Sequence, residues 1–202
     1  MSILNKLYAR IRYGSPVIVV SGLPRSGTSM TMKMLEAVGL GTVTDGQRVA
    51  DEDNPKGYFE DERVKDLHKT EDKTWIRDAR GKAIKVISYL LKDLPRDNFY
   101  KVVFMRRNLN EVLASQKKML DRRGEKSETN DERMIEIYKD HLWKVNWMFK
   151  HSSNIEALDI EYQMVIQDPR TQATRIREFL GLDIDVEKMV AAVDPSLYRN
   201  RS

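Results

Sequence analysis

Pro16-Val-Ile-Val-Val-Ser-Gly-Leu-Pro-Arg-Ser-Gly-Thr-Ser29 decides the fold. Its first six residues are nearly continuously apolar and β-branched, the pattern of a strand buried on both faces of a parallel sheet. Gly22 to Ser29 then follow the spacing G-x-x-x-x-G-x-[ST] of a phosphate-binding loop. In such a loop, glycines let successive backbone N–H groups and a helix N-terminus wrap an anion. Ser29 to Val38 read as that helix, stopped at Gly39.

Outward from this unit the same alternation recurs. Ala83–Ile87, Lys101–Met105 and Ile155–Ile160 are further strand-like runs. Asn108–Leu120, Glu132–Lys150 and Pro169–Leu180 carry helical periodicity, the last ending at Gly181. Strand alternating with helix predicts a three-layer α/β domain of P-loop type, a central parallel sheet with helices on both faces. Gly39–Gly57 and Asp121–Asp131 read as irregular, and Trp143 and Trp147, four residues apart, as a core-facing pair. With no repeat or low-complexity tract, residues 1–202 are expected to form one domain.

Composition narrows the classes. The chain has 202 residues, 41% of them apolar, and a net charge of +4. That charge favours anionic partners, but no run of Lys and Arg interleaved with aromatics suggests nucleic acid. Cysteine is absent, which rules out disulfides, thiolate metal sites and a cysteine nucleophile and suits a reducing compartment. Met1–Ser15 is broken by Asn5, Lys6, Arg10 and Arg12, unlike a signal peptide. No stretch approaches the roughly 20 apolar residues of a membrane span. A cytoplasmic location is expected.

One position sets the loop apart. Where a Walker loop has lysine before its final Ser or Thr, this chain has Thr28, and Arg25 sits inside the loop instead. The candidate Walker-B strand runs into Arg106-Arg107 rather than an aspartate, so both the triphosphate lysine and the magnesium carboxylate are missing. A second anion site is suggested by Arg107 and Ser115, eight residues or about two helical turns apart.

Three segments together carry a family resemblance. Leu23-Pro-Arg-Ser-Gly-Thr-Ser29 resembles the 5′-phosphosulfate loop of sulfotransferases, in the form closest to the tyrosylprotein and bacterial branch. Arg107-Asn-Leu-Asn-Glu-Val-Leu-Ala-Ser115 resembles their 3′-phosphate segment. Tyr162-Gln-Met-Val-Ile-Gln-Asp-Pro-Arg-Thr171, with Ile176-Arg-Glu-Phe-Leu-Gly181, is similar to their tyrosine segment and helix end. The resemblance implies transfer of a sulfuryl group from PAPS (3′-phosphoadenosine 5′-phosphosulfate) to a hydroxyl or amine on a sugar, lipid, peptide or metabolite.

It also implies roles for particular residues. Arg25, Ser26, Gly27, Thr28 and Ser29 would surround the 5′-phosphate and sulfate, and Arg107 and Ser115 the 3′-phosphate. Tyr162 would lie near the adenine, with Arg199 of the basic tail Leu197–Arg201 returning to the 3′-phosphate. Lys85-Val-Ile-Ser-Tyr-Leu-Leu-Lys-Asp-Leu-Pro95 looks like the lysine-bearing strand of the cytosolic branch, making Lys85 a second catalytic cation beside Arg25. That branch has a histidine two residues after the lysine; Ile87 stands there, and His68, His141 and His151 read as surface residues. The tyrosylprotein and heparan branches draw a carboxylate from the segment after the first helix. Asp45 is then the first candidate base, with Asp53 and Glu60 behind it. No HExxH or other metal-ligand pattern is present, and no metal is expected. A kinase with a degenerate Walker loop, or a nucleotide-binding module without chemistry, remains the alternative.

Overall fold

The computed structural model describes residues 11–46, 59–125 and 130–194. Five parallel strands form its sheet: β1 (Val17–Gly22), β2 (Thr42–Val43), β3 (Ala83–Lys85), β4 (Tyr100–Arg106) and β5 (Ile155–Glu161), in the order β2-β3-β1-β4-β5. The helices are α1 (Thr28–Ala37), α2 (Glu62–Lys65), α3 (Leu109–Arg123), α4 (Asp131–His151), α5 (Tyr162–Gln167), α6 (Pro169–Leu180) and α7 (Val186–Ala191). Two 3-10 segments, Thr74–Ala79 and Ser88–Asp93, flank β3. This is the three-layer α/β arrangement that the strand–helix alternation predicts.

Strand periodicity sorts the core into two layers. Ile18, Val20, Val103, Met105 and Ile160 point to one face, where they meet Met32, Met34 and Leu35 of α1, Val165 of α5, Ala173 and Ile176 of α6 and Met189 of α7. Val17, Val19, Tyr100, Val102 and Phe104 point to the other, against Val145 of α4 and Ile76 and Ala79 of the first 3-10 segment. All six β1 residues are buried, which explains why that strand reads as an unbroken apolar run.

β1 is the central strand, paired with β3 from Ile18↔Ala83 to Val20↔Lys85 and with β4 from Val17↔Tyr100 to Gly22↔Met105. The chain goes from β1 to the β2–β3 side, then crosses to β4 and β5. The C-terminal end of β1 is therefore a topological switch point, where ligands bind in open parallel sheets. Helix boundaries follow short local signals. Asn108 caps α3 by accepting from the Asn110 and Glu111 N–H groups, Asn130 caps α4 through the Arg133 N–H, and Asp168 caps α6 ahead of Pro169.

Three expectations need correction. The strand expected over Ala83–Ile87 ends at Lys85, because a 3-10 turn begins at Ser88. The segment expected to be irregular from Gly39 contributes the edge strand Thr42–Val43, too short to leave a pattern. Trp143 and Trp147 do not pack into the core: they are 64% and 54% exposed on the outer side of α4. Tyr138 and Val145 form that helix's buried contacts, and the i, i+4 spacing of the tryptophans places them together on the opposite side.

The junction of β1 with its loop is sterically tight. A Cβ at Gly22 would sit 2.7 Å from the Met105 carbonyl oxygen, and φ there is +154°. Neither backbone can give way without breaking the β1–β4 pairing. Gly22→Ala is expected to lower the urea midpoint by the equivalent of about 2 kcal/mol with an unchanged m-value, read by equilibrium unfolding.

Candidate functional site

The loop between β1 and α1 turns at Leu23–Ser26, where the Ser26 N–H donates to the Leu23 carbonyl at 3.1 Å. Arg25 is left-handed at φ 68°, and Gly27 follows at φ 98° as the N-cap of α1. No side chain caps this helix and its first turn holds no acidic residue. Its N-terminal N–H groups and positive dipole end are therefore presented to the loop. Ser26 is 1% exposed, and its Oγ and that of Ser21 are the buried side-chain oxygens without a hydrogen-bond partner among the described residues. An unsatisfied hydroxyl under a glycine-rich turn suits a site that gains a polar ligand.

Arg106 and Arg107, adjacent in sequence, part company at the end of β4. Arg106 bonds Asp159 of β5 at 3.0 Å and lies over the Phe104 ring. Arg107 turns to the loop: its Nη1 donates to the Arg25 carbonyl at 3.0 Å and its Nε to Glu111 at 2.8 Å. Its guanidinium carbon lies 4.3 Å from the centroid of the Tyr162 ring. Arg25 in turn donates from Nε to Ser115 Oγ at 3.0 Å. The two anion motifs, read separately in the sequence, are one bonded unit. Tyr162 forms its underside: a Cβ at Gly27 would come within 2.9 Å of Tyr162 Cε2, so only glycine lets the loop settle on the ring. Burial raises the Tyr162 phenol pKa, and the Arg107 charge partly opposes it.

Lys85, at the end of β3, approaches the same loop from the other side. Its Nζ lies 3.3 Å from Ser29 Oγ and 3.2 Å from Glu60 Oε1, with Lys85 9% and Glu60 19% exposed at the side chain. Lys65 approaches the other Glu60 oxygen at 3.6 Å. The backbone fixes this carboxylate. Phe59 is left-handed at φ 52°, and the Glu60 carbonyl accepts from the Asp45 N–H at 3.2 Å and Thr44 Oγ1 at 2.9 Å. The Asp45 carboxylate does something else, accepting from the Glu62 N–H at 2.7 Å at the start of α2. Asp53 and Arg199 lie outside the described residues.

Two contributors escaped sequence reasoning. Glu111 is 5% exposed and ion-paired to Arg107; the only sign was an acid four residues after an arginine, usually a surface helix pair. His141, expected at the surface, is half-buried against the turn after β3. It shares a 2.9 Å hydrogen bond with Ser88 Oγ and stacks on Tyr89 with centroids 3.8 Å apart. Burial, helped by Lys144, holds its pKa below the usual imidazole value, and burial pushes Tyr89 up to about 12. His68 and His151 are exposed as expected, the latter stacked on Trp147. Among the described residues, no group of three or more His, Asp or Glu side chains is placed to hold a metal ion, and no helix is long and apolar enough to cross a membrane.

Sheet order, loop position and the arginine that closes on it define a P-loop-like α/β domain. The sequence profile of the Sulfotransferase family matches residues 66–186, well over half of the chain. The chain belongs to the sulfotransferase family. No curated protein sequence matches it. Among solved structures, a mouse sulfotransferase complexed with PAP superposes with a TM-score of 0.54 at 17% identity, covering 92% of this chain and 67% of that one. The sulfotransferase domain of the curacin biosynthetic pathway gives 0.51 at 13% identity, covering 89% and 78%. That of the Synechococcus olefin synthase gives 0.50 at 16% identity, covering 95% and 90%. At these identities the likeness is one of fold.

The His141 shift carries a sign. A depressed pKa in the folded state means that the unfolded chain binds the extra proton. Stability linked to His141 is therefore lost as pH falls below the unfolded value of about 6.5. Thermal melts between about pH 7 and pH 5.5 are expected to show a shallower decline for His141→Gln than for the wild type.

Proposed function

We propose that this sulfotransferase uses PAPS as donor and Glu60 as the base that takes the acceptor's proton. The observation carrying the proposal is the Lys85 ammonium, which lies between a loop hydroxyl and a carboxylate beside the C-terminal end of the central strand. In the reaction, the acceptor oxygen or nitrogen forms a bond to sulfur while the bond from sulfur to the 5′-phosphate oxygen breaks. The acceptor proton passes to Glu60, and the bisphosphate PAP leaves. Arg25, the loop N–H groups and the end of α1 offset charge on the phosphosulfate. Lys85, within reach of both the loop and Glu60, neutralises charge developing on the leaving oxygen. Arg107 and Ser115 supply the 3′-phosphate contacts, with the Tyr162 ring beneath the arginine.

Glu60 is preferred to Asp45 on geometry. A general base must lie within hydrogen-bonding reach of the reacting centre, directly or through one water. Glu60 meets Lys85 there, whereas the Asp45 carboxylate is engaged by the backbone of α2. Thr44 and the Asp45 N–H, by holding the Glu60 carbonyl, act as positioning groups. The acceptor is a hydroxyl or amine compound. A kinase reading would need a cation in place of the Walker lysine, where Thr28 stands, and a magnesium carboxylate where β4 runs into Arg106 and Arg107.

Calorimetric titration with PAP, and separately with ATP and magnesium, tests the donor. Tight metal-independent binding of PAP, strongly weakened by Arg25→Ala and by Arg107→Ala, is expected. Preference for ATP–magnesium, with no advantage from the 3′-phosphate, would overturn the PAPS assignment. For the base, Glu60→Gln is expected to lower turnover roughly a hundred- to ten-thousandfold while PAP still binds. Asp45→Asn should cost far less. Turnover is read as PAP release from PAPS in the presence of simple hydroxyl and amine acceptors, and the reverse ranking would move the role to Asp45.

A further inference from the structure

Arg107 is held from three directions before any nucleotide arrives. Glu111 bonds its Nε at 2.8 Å, the Arg25 carbonyl accepts from Nη1 at 3.0 Å, and the Tyr162 ring lies against its face at 4.3 Å. The Glu111–Arg107 pair is buried on both sides, with side-chain exposures of 5% and 7%. An exposed i, i+4 pair would contribute little and constrain less. Glu111 is itself fixed. It occupies the first turn of α3, where Asn108 accepts its N–H at 3.4 Å and where the helix dipole favours a negative charge. One turn on, Ser115 receives Arg25, so a single face of α3 orients both arginines of the site.

A carboxylate here could act in two opposite ways. It could compete with an incoming phosphate for Arg107, or it could set the guanidinium in the orientation the phosphate needs. Competition requires Arg107 to swing away from Glu111 on binding. The Arg25 carbonyl and the Tyr162 ring resist that swing, because the same rotation would break both of their contacts. A planar guanidinium held along one edge and one face has little freedom left to lose when an anion docks.

We infer that Glu111 is a positioning residue that pre-orients Arg107 and thereby gives the site its selectivity for a 3′-phosphorylated nucleotide. This deepens the PAPS assignment and rests on it. Glu111 touches neither donor nor acceptor; its effect passes entirely through Arg107. The Glu111 carboxylate also offsets one of the two arginine charges before the donor binds.

The test is a selectivity ratio. Affinities for PAP and for adenosine 5′-phosphate, which lacks the 3′-phosphate, are measured by calorimetry for the wild type, Glu111→Gln, Glu111→Ala and Arg107→Ala. The expected result is a fall in the PAP preference of Glu111→Ala by roughly three- to tenfold, the cost of ordering one long side chain on binding. Affinity for adenosine 5′-phosphate should not change. Glu111→Gln, which retains an acceptor for Nε, should lie between the alanine variant and the wild type. Adenosine 5′-phosphate binding serves as the control for folding, since a general loss of structure would lower both affinities together. An unchanged ratio in both Glu111 variants, or a ratio that rises, overturns the positioning role. If the wild type itself shows no preference for PAP, the donor assignment falls instead, which separates the two failures.

Discussion

The six-pair contact between β1 and β4 sets the level on which everything functional is built. It runs from Val17↔Tyr100 to Gly22↔Met105 without a bulge, so β1 ends one residue before β4 does. At Gly22 the backbones approach so closely that no side chain fits. The Gly22–Ser29 loop therefore leaves β1 at the height where β4 delivers Arg106 and Arg107. Arg107 reaches the Arg25 carbonyl because the chain leaves β4 there, and Ser115 reaches Arg25 Nε because α3 starts two residues later. Shifting this register by one residue would turn every core side chain of β4 to the wrong face and separate the two arginines.

Charge is arranged around that level with some economy. Arg25, Arg107 and Lys85 converge on the ends of parallel strands and on the uncapped N-terminus of α1, all of which favour an anion. Two carboxylates moderate the cluster in different settings. Glu111 is buried on a helix and bonded along the edge of a guanidinium. Glu60 is more exposed, follows a left-handed residue and meets ammonium groups from both sides. Burial and a bonded partner fix the first, whereas the second keeps some exposure to solvent.

Much of this was legible in the sequence because it depends on local pattern. β1 and β4 are largely apolar runs, the loop has its glycine spacing, and Ser115 follows Arg107 by eight residues, on a helix whose Asn108 cap is visible. What could not be read depends on direction rather than composition. The carboxylates after α1 look equivalent along the chain. Only the left-handed backbone at Phe59 and the bonds to the Glu60 carbonyl turn one of them toward Lys85, while Asp45 is drawn to the α2 backbone. β2 is two residues long and cannot show alternation. Trp143 and Trp147 have core spacing but sit on the outward side, because Tyr138 and Val145 already fill the inward one. His141 belongs to a contact with Ser88, 53 positions away, that no window along the sequence would include.

The clasp on the Glu60 carbonyl joins it to Thr44, sixteen residues earlier, and to the neighbouring Asp45 N–H. Ends pinned in this way separate the geometry of the rim from the length of chain between them, since closing a longer loop costs only about 0.6 kcal/mol per doubling. The Glu60 carboxylate can thus keep its place beside Lys85 whatever the length of chain between the two pinned ends.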